Sequence, residues 1–142
     1  MNAEDRLDIL QKIAEYSYTF DGKDADGWAN LFTEDGEWIS IIKEQDDPTE
    51  HLIGQDAIRE WAAKRHQTIP DTYRSFHHQS GTSFDELTAN TARTRTMLVL
   101  TGHDMSGYDG SKGPQVTITG IYKDDWSKTA DGWRIRKRVL VI

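Results

Sequence analysis

Residues 16–35, YSYTFDGKDADGWANLFTED, decide how this chain folds, because one apolar helix ends inside them and a second begins almost at once. The first helix reads EDRLDILQKIAEYSYTF, residues 4–20, with Leu7, Leu10, Ile13, Ala14, Ser17 and Phe20 recurring at threes and fours, the spacing of one helical face. Gly22 marks its end, since glycine readily takes the left-handed conformation that closes a helix. Asp24 or Asp26 is placed to cap the next helix, DADGWANLF, residues 24–32, whose apolar face is Trp28, Leu31 and Phe32. Two short helices that meet this tightly hold Tyr16 and Asp21 at a joint. An acid in that place has two readings: the working group of a pocket, or a local hydrogen-bonder that solvates a helix end.

Outward from the joint, residues 37–42, EWISII, read as a strand rich in β-branched and aromatic side chains. The acidic run 44–50 with Pro48 interrupts it as a loop, and residues 51–53 form a short returning strand. Gly54 leads into QDAIREWAAKRHQTI, residues 55–69, where Ile58, Trp61, Ala62 and Arg65 keep helical spacing until Pro70 stops it. Beyond this third helix the pattern turns to strands, at 76–87, 91–103, 115–126 and 133–142, split by ELTAN, by SGYDGSKGP and by KTADG. These predict an antiparallel meander. Thr91, Arg93, Arg95, Met97, Val99 and Thr101 share one face of their strand, and Ala92, Thr94, Thr96, Leu98 and Leu100 the other. Both faces are mixed, so one meets the helices and the other a cavity or a partner subunit.

A length of 142 residues fits a single domain, 1–142, with one core and room for a small cavity. Five Trp, five Tyr and four Phe can bury enough area to fold the chain although its charged fraction is 29%. The net charge of -7 disfavours a phosphate backbone as partner, and Arg134, Arg136, Lys137 and Arg138 are too few to reverse that, so nucleic acid binding is not expected. With no cysteine, disulfides, thiolate nucleophiles and cysteine metal sites are excluded. His51, His66 and His103 occur singly, with no HxH or HExxH grouping, and no metal site is expected. The start MNAEDRLDIL lacks a basic end and apolar run, and no stretch is apolar for long enough to cross a bilayer, so no membrane partner and a cytoplasmic location are expected.

The order of helices, a strand, a third helix introduced by GQDAI (54–58) and a closing sheet whose last hairpin reads GIYKDDWSKTADGWRIRKR (120–138) resembles the nuclear transport factor 2-like superfamily. The closer resemblance is to its SnoaL-like and scytalone dehydratase-like branch. YSYTFDGKDADGWANLFTEDGEW, GQDAI, FHHQSGT (76–82) and ADGWRIRKR (130–138) carry it, over nearly the whole chain. The resemblance implies an α+β fold: a cone-shaped, curved, largely antiparallel mixed sheet wrapped round three helices of the N-terminal half, with a pocket between them.

It also implies a site. In the dehydratase-like members a pocket acid ends the first helix, a tyrosine precedes it by about a turn and a half, and a histidine starts the first long strand. Tyr16, Asp21 and His78 match those places. His77 and His78 project to opposite faces of a strand, so at most one meets the cavity. His78 is preferred because its spacing to Gly81 and Thr82 reproduces the family phrase HxxxN, with Thr82 in place of the asparagine. With the register slipped by one, His77 takes the role and joins Trp38 and Trp61, the two aromatic candidates for lining a pocket around a flat apolar ligand. Arg138 matches a basic position of some pocketed members and could offset developing negative charge.

Such a set can move protons without a cofactor. An imidazole takes a proton from a carbon next to a carbonyl and returns it to a leaving oxygen. Asp21 on the other ring nitrogen would fix the tautomer and stabilise the imidazolium, and Tyr16 could donate to the carbonyl or enolate oxygen. The expectation is a cofactor-independent lyase or isomerase, a dehydratase first, acting on a small cyclic or polyketide-like or steroid-like molecule. A polyketide cyclase or ketosteroid-isomerase-like enzyme that uses the acid alone is the nearest alternative, and a non-catalytic ligand carrier or assembly module the more distant one. The resemblance further implies a homo-oligomer, trimer or dimer, joined through the outer sheet face.

Overall fold

The structure is a computed structural model that describes residues 3–43 and 47–142, so the 44–46 part of the acidic loop lies outside the described residues. Helix α1 (Ala3–Asp21) buries Asp5, Ile9, Ile13 and Tyr16. Its packed face is therefore turned from the one that its leucines suggested, and Leu7 and Leu10 are 66% and 40% exposed. Both stripes have helical spacing. The one that packs is the one carrying Tyr16, whose ring meets Trp28, Phe32 and Tyr122 within 6.5 Å between centroids and so removes more apolar surface from water than a leucine could.

The joint after α1 also closes differently from the expectation. Lys23, not Gly22, takes the left-handed conformation, with φ 60. It is held there by its ammonium, which donates to the Ile69 carbonyl at 2.7 Å and pairs with Asp71 at 3.1 Å. Gly22 is needed for space instead, because a Cβ there would stand 2.8 Å from the Tyr18 carbonyl oxygen. Asp24 caps α2 (Ala25–Ala29) by accepting from the Gly27 N–H at 2.9 Å. That helix is shorter than the apolar spacing predicted. The Leu31 carbonyl already accepts from the Ile135 N–H, and Phe32 sits opposite Ile135 as the first residue of β1 (Phe32–Ile41).

The remaining elements are β2 (Glu50–Ile53), α3 (Gln55–Thr68), β3 (Tyr73–Leu87), β4 (Thr91–Asp104), β5 (Gln115–Thr129) and β6 (Gly132–Val141). They make one six-stranded sheet in the order β2-β1-β6-β5-β4-β3. The meander β3 to β6 is antiparallel, as the strand spacing predicted, while β1 runs parallel to β6, so the sheet is mixed and open, with β2 and β3 as its edges. α1 packs on β3 and β6, and α3 on β1 and β2. Helices that touch both ends of one sheet require it to curl around them. A bulge in β3 between Ser80 and Ser83 contributes to that bend, with Gly81 at φ 65 supplying the left-handed residue.

Inside the curl lie Trp28, Phe32, Tyr122, Trp126, Trp133 and Ile135, all almost wholly buried. The alternation read along β4 holds: Ala92, Thr94, Thr96 and Leu98 are buried, and Arg93, Arg95, Met97 and Val99 are on the exposed side. Among the described residues no helix is long and apolar enough to cross a membrane.

Candidate functional site

α1 and the free edge of β3 leave a groove of about 810 Å³ between them. The helix contributes Leu10, Ala14, Ser17 and Asp21, and the strand contributes His77, Gln79 and their neighbours. The stripe of α1 that carries Leu10 and Ala14 is thus a groove wall, which explains why these two apolar residues stay open to solvent.

Asp21 is the last residue of α1 and His77 lies on the inward face of β3. Asp21 Oδ2 accepts from the His77 backbone N–H at 2.8 Å, and Oδ1 lies 2.6 Å from His77 Nδ1. A carboxylate only accepts, so Nδ1 carries the hydrogen and Nε2 is left as the basic nitrogen. Their side chains are 10% and 11% exposed, and the imidazole stands edge-on to Tyr16 and Phe20, at 6.2 Å and 5.2 Å between centroids. Two contacts from one carboxylate to the same residue fix both the strand position and the ring angle. The arrangement is a histidine oriented by an acid at the wall of a partly apolar groove.

His78, the histidine preferred from the sequence, borders the groove but does not meet Asp21. It is exposed on the opposite face of β3, with Nε2 3.0 Å from Thr101 Oγ1. The bulge explains the discrepancy. The shift between Ser80 and Ser83 lies between the histidines and Thr82, so counting residues back from Thr82 does not preserve the side of the strand. On this backbone it is His77, the residue that the slipped register names, that meets Asp21.

Tyr16 and Arg138 are brought close to the pair but away from the groove. Arg138 is fully buried, with Nε and Nη2 on the two oxygens of Asp124 at 2.7 Å and 2.8 Å. Its guanidinium lies between the rings of Tyr16 and Tyr122, at 4.2 Å and 3.9 Å from their centroids. Burial works against that charge, yet Asp124 and the two tyrosines hold its pKa above the usual arginine value. The Tyr16 hydroxyl accepts from Trp38 Nε1 at 2.9 Å, and burial raises its pKa although Arg138 opposes the shift. Neither residue is placed to touch a molecule in the groove, and their expected roles at a ligand are corrected to internal ones. The cone's centre is closed by a buried ion pair and its aromatic neighbours.

Trp38 and Trp61 likewise do not line the groove. They pack on each other at 5.2 Å, and Trp61 stacks on Trp28 at 6.0 Å, because α3 lies directly over β1. His66 at the end of α3 is buried against Phe20, and burial lowers its pKa below the ordinary 6.5. Asp124, Gln79 and Ser17 were not singled out as site residues. A signal for Asp124 was present: Tyr122, Asp124 and Trp126 alternate on one face of β5, and an acid between two aromatics on an inward face demands a cation. Among the described residues no three His, Asp or Glu side chains gather as metal ligands would.

Comparison with known proteins agrees with this architecture. A family described as SnoaL-like domain matches residues 1–139. Among curated proteins none matches at a significant level. Solved structures do match. Rv3472 from Mycobacterium tuberculosis, a protein of unknown function solved as an Asp-to-Asn variant, is 28% identical with a TM-score of 0.74, over 94% of this chain and 69% of that one. An NTF2-like protein with a cystatin-like fold from Novosphingobium aromaticivorans is 21% identical with a TM-score of 0.79, over 98% and 82%. A proposed scytalone dehydratase from the same organism is 22% identical with a TM-score of 0.75, over 98% and 87%.

Proposed function

Because this chain belongs to the SnoaL-like domain family, whose superfamily includes dehydratases and isomerases, we propose that it is a cofactor-independent lyase that removes water from a small cyclic molecule bound in the α1–β3 groove. The observation that carries this reading is the 2.6 Å contact between Asp21 and His77 at the groove wall. His77 Nε2 takes the proton from a carbon next to a carbonyl. The C–H electrons become a C=C bond as the bond to the β-hydroxyl breaks, and the imidazolium returns its proton to the departing oxygen, releasing water. Asp21 keeps Nδ1 protonated throughout and offsets the charge that forms on the ring.

Both oxygens of Asp21 are taken up by His77, which favours the histidine over the carboxylate as the proton acceptor. An isomerase using the acid alone would have to draw on a carboxylate already stabilised by two hydrogen bonds, which makes it a weaker base. The direct test is incubation with a panel of cyclic β-hydroxyketones, followed by mass spectrometry for loss of water, with nuclear magnetic resonance reporting binding. Turnover of at least one compound that disappears in Asp21→Asn is the expected result. Compounds that bind in the groove and leave unchanged would replace the lyase with a non-catalytic carrier.

We also propose that the protein is a homo-oligomer joined through the outer face of its sheet. Met97, Val99 and Ile121 are 54%, 38% and 41% exposed there, beside Arg93, Arg95, Lys123 and Lys137 interleaved with Asp85, Glu86 and Asp125. A face with an apolar half and charges of both signs can match a copy of itself. Sedimentation velocity should show a dimer or trimer that Met97→Glu dissociates, and a monomer at micromolar concentration would end the idea.

A further inference from the structure

The buried Arg138 reaches the groove through one residue. Its Nη1 donates to Gln79 Oε1 at 3.1 Å, and Gln79 Nε2 donates to the Ile13 carbonyl at 2.9 Å and to Ser17 Oγ at 2.8 Å. This orientation of the Gln79 amide is fixed by chemistry. A guanidinium has only donors, so the amide oxygen must face Arg138 and the amide nitrogen must face α1. Ser17 Oγ is therefore an acceptor towards Gln79, and its own hydrogen points elsewhere.

The usual target for a helical serine hydroxyl is the carbonyl four residues earlier, here that of Ile13. That oxygen is already engaged twice, by the helix N–H of Ser17 itself and by Gln79. Among the described residues the Ser17 hydroxyl donates to no group, while the residue lines the groove and is half-buried. Ser17 and Asp21 are one turn apart on the same helix, about 5–6 Å between Cβ atoms. A donor and an oriented base thus stand side by side on one wall.

The geometry points to Ser17 as the hydrogen-bond donor that holds an oxygen of the bound molecule, with Gln79 and Arg138 as positioning residues that aim it. This rests on the groove being the ligand site and adds that the ligand presents a carbonyl next to the carbon facing His77. The fully buried guanidinium cannot touch that oxygen, but it polarises the Gln79 amide, which in turn holds the hydroxyl oxygen. A neutral donor backed by a buried cation suits an enolate oxygen, whose charge grows only as the proton leaves.

The probe is 1-tetralone, a bicyclic ketone with no β-hydroxyl to lose. Its carbonyl stretch is read by infrared difference spectroscopy on the intact protein, with His77 ring signals read in parallel by nuclear magnetic resonance. In the unaltered protein the stretch should fall below its value in an aprotic solvent. Ser17→Ala should remove that shift and weaken binding about five- to tenfold, the size of one neutral hydrogen bond, while Ser17→Thr should restore the shift. Gln79→Leu should weaken binding by less than Ser17→Ala does and broaden the band, because the hydroxyl remains but is no longer aimed. A probe that moves the His77 signals with an identical stretch in Ser17→Ala overturns the donor role alone. A probe that binds without moving His77 overturns the groove as the ligand site, and the donor role falls with it.

Discussion

His77→Ala should lower the turnover of any substrate found for the groove by about a hundred- to ten-thousand-fold, the usual worth of a positioned general base, while His78→Ala should leave it within about twofold. The two residues are neighbours of one type on one strand, so the comparison controls for composition and for strand propensity. They differ only in the face to which the pleat assigns them: His77 is turned in, with Nδ1 on Asp21, and His78 out, on Thr101. Asp21→Asn should approach the His77→Ala loss. An asparagine can accept from the strand N–H with its oxygen and donate an N–H to Nδ1, which then carries no hydrogen, so the ring proton moves to Nε2, the nitrogen that has to be basic. Circular dichroism and urea midpoints for all three variants separate lost chemistry from lost folding. Equal activity of His77→Ala and His78→Ala would remove the imidazole from the mechanism.

Arg138→Met should destabilise the protein by about 3–5 kcal/mol, the cost of leaving one member of a buried ion pair without the other. Asp124 is 3% exposed, and Thr94 Oγ1 at 3.4 Å is a poor substitute for a bidentate guanidinium. The variant also loses the cation between Tyr16 and Tyr122, and leaves Gln79 Oε1 without its donor. Arg138→Met combined with Asp124→Leu should regain most of that stability, because two apolar groups of matched volume ask for no partner. Urea denaturation of the two variants and the parent checks both statements. A single variant within about 1 kcal/mol of the parent would show that water reaches the pair, since exposed pairs contribute on that scale. The double variant would then have nothing to recover.

The fold was legible because its signals are local and repeat. α3 and the four strands of the meander lie within a few residues of where the apolar periodicity, Pro70 and the glycine-rich turns put them. Asp21 at the end of the first helix was legible for the same reason. The site's other half was not. Whether His77 or His78 faces inward depends on strand register, and a single extra residue at the Gly81 bulge reverses every inference drawn from spacing across it.

Residues close in the chain were enough for the α+β order, for a second helix capped by Asp24 or Asp26 just after the joint, and for the acid beside it. The packing of distant elements chose which stripe of α1 is core and which is groove, which histidine Asp21 holds, and that Arg138 answers to Asp124. Each of these is a choice between chemically similar partners. Local propensity is nearly indifferent to that choice, and it is settled by the cost of leaving a buried charge or donor unpaired once distant strands have come together.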